Sequence, residues 1–171
     1  MSTPEFSRPV DIRQADGRVL ALSANDGERA ALAARFGLMR IDRLDAEMKL
    51  GREGEAVTAT GSLSADIVQS CAISAEDLPV AINEPLAFRF VPARGDHAPD
   101  EEIELDAEDC DEIEYSGTAF DLGEAVAQSL ALAIDPFATG PQAEEARRNA
   151  GLLGEQDAGP FAALKGLDLK K

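Results

Sequence analysis

The chain has no tryptophan, one tyrosine and seven phenylalanines in 171 residues. A nucleic-acid surface built on stacked aromatic rings therefore has little to draw on. Two cysteines make no disulfide framework in a chain of this size. One histidine leaves Ser-His-Asp or Cys-His chemistry a single residue to pass through. That residue, His97, stands beside Pro99 among carboxylates, which favour its charged form. A zinc site needs about four nitrogen or sulfur ligands, and Cys71, Cys110 and His97 have no paired spacing. Cys71 reads as a small buried hydrophobe, and Cys110, among carboxylates, as an unreactive thiol. No Gly-Lys-Ser or Gly-Lys-Thr phosphate loop occurs. No apolar run approaches the roughly 20 residues of a membrane helix, and Met1–Glu5 carries no signal-peptide apolar segment; a cytoplasmic protein is expected. Basic residues number 16 against 33 acidic, a net charge of -17 that disfavours generic coating of RNA or DNA. No catalytic constellation stands out, and no cofactor or metal is expected. The abundance of acids leaves a carboxylate-pair hydrolase open as an alternative.

What is present describes a globular protein: 44% hydrophobic, 29% charged, mean hydropathy -0.18. The length suits one domain with tails, long enough to build a core without staples. Charge is unevenly placed. Residues 1–52 hold 9 basic and 8 acidic side chains, residues 53–146 hold 2 and 22, and residues 147–171 hold 5 and 3. Between Asp96 and Glu114 there are 11 carboxylates in 19 positions and no cation. Such a block reads either as a solvated, self-repelling loop or as a docking surface that steers a basic partner. It has no Asp-x-Asp-x-Asp-Gly pattern with a closing Glu, so an EF-hand calcium loop is not expected.

Local patterns predict an α+β fold: a mostly antiparallel, bent and barrel-like sheet with two main helices and an acidic loop at 95–113. Asp16-Gly17 between Phe6–Gln14 and Val19–Leu22 is a hairpin signal. Asn25 and Glu28 have capping-box spacing before an alanine-rich segment ending at Gly37, predicting a helix over 26–36. The apolar phase shifts from Met39 and Ile41 to Leu44, Ala46 and Met48, which predicts a bulge near Asp42-Arg43. Val57, Ala59, Leu63, Ala65 and Ile67 alternate with polar residues as a half-buried strand, with Gly61 as its bend. Leu86, Phe88 and Phe90 mark another strand, and Glu114–Phe120 one more. Asp121 caps a helix with Glu124 at its third position and an apolar stripe Leu122, Val126, Leu130, Ala133. The expected division is a single domain over 1–137, then a Gly/Pro-containing linker with a short helix at 142–149 and an amphipathic tail over 161–169.

Ala30–Leu38, Gly61–Cys71, the box Phe120-Asp121-Leu122-Gly123-Glu124 and Leu130–Pro136 together resemble the YceD family, the large-ribosomal-RNA-subunit accumulation proteins of bacteria, most nearly its alphaproteobacterial branch. The resemblance covers roughly residues 5–171, including Pro160–Lys165. Many relatives carry Cys-x-x-Cys at the end of the long strand, where this chain reads Cys71-Ala72-Ile73-Ser74. The resemblance implies a non-enzymatic factor supporting synthesis, processing or stability of large-subunit ribosomal RNA, and it brings no catalytic residues. The charge pattern adds a basic ribosomal protein or large-subunit precursor as partner, met by a monomer. The candidate docking residues are Asp100, Glu101, Glu102, Glu104, Asp106, Glu108 and Asp109 in the acidic stretch, with Asp121, Gly123 and Glu124 of the box. Direct RNA contact would fall to Arg29, Arg35, Arg40 and Arg43. A structural module with a disordered acidic insert is the remaining alternative.

Overall fold

A computed structural model of the chain describes residues 4–93 and 111–150. Seven strands and three α-helices follow in order: β1 (Pro9–Asp11), β2 (Val19–Ser23), α1 (Asp26–Phe36), β3 (Arg40–Glu53), β4 (Ala56–Ser70), β5 (Asp77–Pro92), β6 (Asp111–Tyr115), β7 (Ala119–Asp121), α2 (Leu122–Ala133) and α3 (Ala143–Asn149). The chain divides into two compact units, Met1–Gln69 with Pro79–Ile134, and Ser70–Leu78 with Asp135–Lys171.

In the first unit, a five-stranded sheet has the order β2-β3-β4-β5-β6, and β1 and β7 pair separately. The sheet is open among the described residues, with β2 and β6 at its ends, so the barrel-like expectation is not met. Its core is the alternating face: Leu44, Met48 and Leu50 of β3 and Val57, Ala59, Leu63, Ala65 and Ile67 of β4 are all almost fully buried. β3 and β4 pair antiparallel, and their register slips between Ile41 and Arg43, so Asp42 is the extra residue of the bulge and the phase shift has its cause. Gly61 lies opposite Met48, and a Cβ on it would fall 1.8 Å from the Glu47 carbonyl oxygen. Close approach of β3, rather than a bend, demands glycine there.

The helices form as their caps dictate. Asn25 and Glu28 exchange the reciprocal bonds of a capping box, and Gly37 ends α1 in the left-handed conformation at φ 67°. α2 buries Leu122, Val126 and Leu130 of the predicted stripe, with Ala125 beside them, and leaves Ala133 half-buried. The Asp16-Gly17 hairpin does not form. Ile12–Gln14 coil into a one-turn 3-10 helix under an Asp11 cap, so β1 leaves to pair with β7 while β2 pairs with β3. Glu114–Phe120 is likewise not one strand. Gly117, at φ 79°, turns the chain between β6 and β7, which belong to different sheets. β6 runs parallel to β5.

In the second unit, α3 spans Ala143–Asn149 without a side-chain cap. Ala72 donates to the carbonyl of Ala138, and Ala75 closes the turn after Cys71 at φ 57°.

Candidate functional site

The Asp-Leu-Gly-Glu box at the start of α2 is a densely bonded polar site of the first unit. Asp121 Oδ1 accepts from the backbone N–H of Glu124 at 3.1 Å, as the cap predicts, and also from the backbone N–H of Arg8 at 2.8 Å. Its Oδ2 accepts from the Ser7 hydroxyl at 2.6 Å, and Leu122 donates its N–H to the Arg8 carbonyl. Gly123 is buried, with Phe6 and Arg8 pressed against its Cα. Glu124 does not complete a capping box. Its carboxylate receives both terminal nitrogens of Arg35 from α1, at 3.1 and 2.8 Å, and Arg35 also donates to Glu5 at 2.9 Å. Asp121, Gly123 and Glu124 thus all have partners within the chain, where they clasp residues 5–8 and α1 to α2.

A second clasp sits beside it. The Arg8 guanidinium holds both carboxylate oxygens of Glu28 at 2.7 and 2.9 Å, donates to the carbonyls of Ser7 and Ser23, and lies 4.5 Å from the centre of the Phe6 ring. This ion pair, with the Asn25 N–H, holds Glu28 below the usual carboxylate range despite partial burial. Glu5 is lowered by backbone hydrogen bonding and by Arg35, and Asp11 falls to about 2 through its bonds from the Arg13 side chain and backbone. Sequence reasoning missed Arg8; its only signal was a cation between Ser7 and Pro9, in a segment that also carries Glu5 and Asp11.

The four arginines considered for RNA contact are each paired. Arg29 bonds Asp26 and the Ala24 carbonyl, Arg35 bonds Glu5 and Glu124, and Arg40 bonds Asp42 at 2.9 Å. Arg43 bonds Asp66 at 2.8 Å and Asp45 at 3.4 Å. Arg29 and Arg40 share one groove between α1 and the start of β3, with Ala30, Ala33 and Met39 on its walls; Arg35 and Arg43 are not among its lining residues.

Cys71 is buried, as expected, but its thiol is also hydrogen-bonded. It is 3% exposed, and its Sγ accepts from the backbone N–H of Gly140 at 3.3 Å and of Ser74 at 3.5 Å. The Ser74 side chain and the N–H groups of Gly140, Ser74 and Ile73 bring the thiol down to about 6. Among the described residues no group of three or more His, Cys, Asp or Glu is arranged to hold a metal ion, and no helix is long and apolar enough to cross a membrane. Asp100, Glu101, Glu102, Glu104, Asp106, Glu108 and Asp109, with His97, Cys110 and the 161–169 tail, lie outside the described residues. The acidic run ends on described residues in β6, where Glu112 faces Arg89 at 3.7 Å.

No curated protein and no solved structure matches the chain. Residues 59–168 match the family described as Large ribosomal RNA subunit accumulation protein YceD. The matched span takes in most of β4, the Asp-Leu-Gly-Glu box and α2, well over half of the sequence, and the chain belongs to the YceD family.

Proposed function

We propose that this chain is a cytoplasmic, non-enzymatic ribosome-biogenesis factor that supports the synthesis, processing or stability of large-subunit ribosomal RNA by docking a basic ribosomal protein or an assembly intermediate that displays one. The YceD match supports the ribosomal role. The observation that carries the protein-contact reading is where the charges end up. Arg8, Arg13, Arg29, Arg35, Arg40 and Arg43, six of the nine cations in residues 1–52, are spent on carboxylates of the same chain. Residues 53–146 carry 22 acids against 2 bases. A chain with its cations so engaged and its acids in such excess repels phosphate and attracts basic protein. The acidic stretch from Asp96 to Glu114 is the proposed docking segment. It captures the partner and screens its positive charge until RNA, with its denser charge, displaces it.

Co-sedimentation with large-subunit precursors across a salt series tests this. The reading expects the chain in the precursor fractions at low salt and its loss at moderate salt, because the contact is between exposed charges. Absence from those fractions at every salt concentration would refute it.

A further inference from the structure

Among the described residues, one edge of the five-stranded sheet is β2. Leu50 donates its N–H to the Arg18 carbonyl, and Ala24 donates to the Leu44 carbonyl. With Leu20 opposite Met48 and Leu22 opposite Ala46, the even-numbered residues of β2 are the ones bonded to β3. The N–H and C=O groups of Val19, Ala21 and Ser23 therefore point away from the sheet. Arg8 occupies the Ser23 carbonyl at 3.0 Å and closes that end. Among the described residues nothing bonds the outward groups of Val19 and Ala21. Edge strands are ordinarily blunted by charge or proline; β2 reads Val-Leu-Ala-Leu-Ser and has neither, and Val19 is 61% exposed.

A groove of about 310 Å³ runs from β2 over β3 to β4, with Ala21, Ser23, Arg43, Asp45, Glu47 and Ser62 among its lining. Asp45 is bonded to the Ser23 hydroxyl and to Arg43. The carboxylate of Glu47, exposed and directly opposite the small Ala21, has no hydrogen bond or ion pair among the described residues. Lys49 stands opposite Val19.

We propose that β2 accepts an extended peptide from a basic partner as a sixth strand, with an arginine or lysine opposite Ala21 whose side chain passes over Ala21 to Glu47. Val19 and Ala21 supply the backbone bonds, as in β-strand addition generally. The added strand lies two strand spacings from β3, about 9.6 Å, a distance that an arginine and a glutamate reaching toward each other over an alanine can close. Lys49 selects against a second cation opposite Val19. The basic character of the partner rests on the function proposed above, whereas the open edge does not. A second copy of the chain suits the edge poorly, since self-pairing would bring together two chains of charge -17.

The test uses the full chain and the peptide acetyl-Thr-Thr-Val-Arg-Val-Thr-Thr-amide, followed by NMR titration and amide exchange. The expected result is at least tenfold slower exchange at Val19 and Ala21 on saturation. Affinity should fall at least fivefold in Glu47→Gln and at least tenfold in Ala21→Pro, which removes an outward donor without touching the bonds to β3. Methylating alternate backbone nitrogens of the peptide should abolish binding, and this tests the same bonds should Ala21→Pro fail to fold. Equal binding of methylated and unmethylated peptides, or of the arginine peptide and its glutamate counterpart, overturns the proposal. So does a concentration-dependent dimer that Ala21→Pro abolishes, which would give the edge to a second copy. If the chain co-sediments with large-subunit precursors but binds no peptide, this inference fails and the proposed function stands. If it binds the peptide but never co-sediments, the edge site stands and the ribosomal reading fails.

Discussion

Gly123 lies so close to Phe6 that a Cβ built on it would stand 2.4 Å from the Phe6 carbonyl oxygen and 2.9 Å from the Arg8 backbone nitrogen. The obstacle is backbone and not the end of a flexible side chain. The glycine of the Asp-Leu-Gly-Glu box is thus the point where residues 5–8 meet the first turn of α2; Asp121 bonds Ser7 and Arg8 of that segment, and Glu124 bonds Arg35 of α1.

Gly27 and Gly123 hold the same position, second in α1 and in α2, yet their substitutions should act in opposite directions. At Gly27 a Cβ meets only Asn25 Oδ1, at 3.4 Å, so Gly27→Ala should stabilise by about 0.5 kcal/mol through helix propensity. Gly123→Ala must displace backbone and should cost roughly 1–3 kcal/mol. Urea denaturation of both variants checks the signs.

Asp121→Asn preserves an Oδ1 acceptor for the N–H groups of Arg8 and Glu124, whereas Asp121→Ala removes it. The alanine variant should lose about 1–2 kcal/mol and the asparagine variant clearly less, read from thermal melting. Because the carboxylate is occupied within the chain, Asp121→Asn should co-sediment with precursors like the wild type.

Leu63 is fully buried in β4 while its neighbour Ser62 is exposed. Leu63→Asp places an unpaired charge in the core and should abolish cooperative unfolding. Ser62→Ala should change stability by no more than about 0.5 kcal/mol. Circular dichroism melts of the two variants distinguish them directly.

The Cys71 thiol, held at about 6 in the fold, compares with about 8.5 for a free cysteine. Below pH 6 both folded and unfolded states carry the proton and the group contributes nothing. Above about 8.5 both are ionised and its contribution is complete. Stability from this group should therefore rise from pH 6 to pH 9 and disappear as pH falls through 6. In a Cys110→Ser background, thiolate absorbance should titrate with a midpoint near 6. The urea midpoint should rise between pH 6 and 9 more steeply than in the additional Cys71→Ser variant.

Legibility in the sequence follows the range of the forces. Asn25, Glu28 and Gly37 act within one helix, and Asp42 within one strand pair, so neighbouring residues alone reveal α1 and the bulge. The alternation from Val57 to Ile67 needs only a buried and a wet face, and it too is legible. What cannot be read depends on residues far apart in the chain. Gly117 sends β6 and β7 to different sheets, a fact that concerns Pro9–Asp11 and Phe88–Pro92 as much as Ser116. Arg8 gives little local signal because its carboxylate partner Glu28 and the Ser23 carbonyl are brought to it by the fold. The arginines of residues 29–43 look like a patch when counted along the chain. Asp26 and Asp42 are near neighbours of Arg29 and Arg40 in the chain, but the pairing of Arg35 with Glu5 and Glu124 and of Arg43 with Asp66 is a property of the folded surface. Cys71 looks apolar because the N–H of Gly140, 69 positions away, is invisible in its neighbourhood.

The most direct test of docking through the acidic stretch is stopped-flow association with purified large-subunit precursors. It compares the wild type with a variant carrying Asp100→Asn, Glu101→Gln, Glu102→Gln and Glu104→Gln, across a salt series. Long-range attraction acts on the approach of the two molecules more than on the finished contact. The variant should therefore associate more slowly at low salt and show a flatter salt dependence, with its melting temperature nearly unchanged. Identical association rates for the two proteins at every salt concentration would contradict the account.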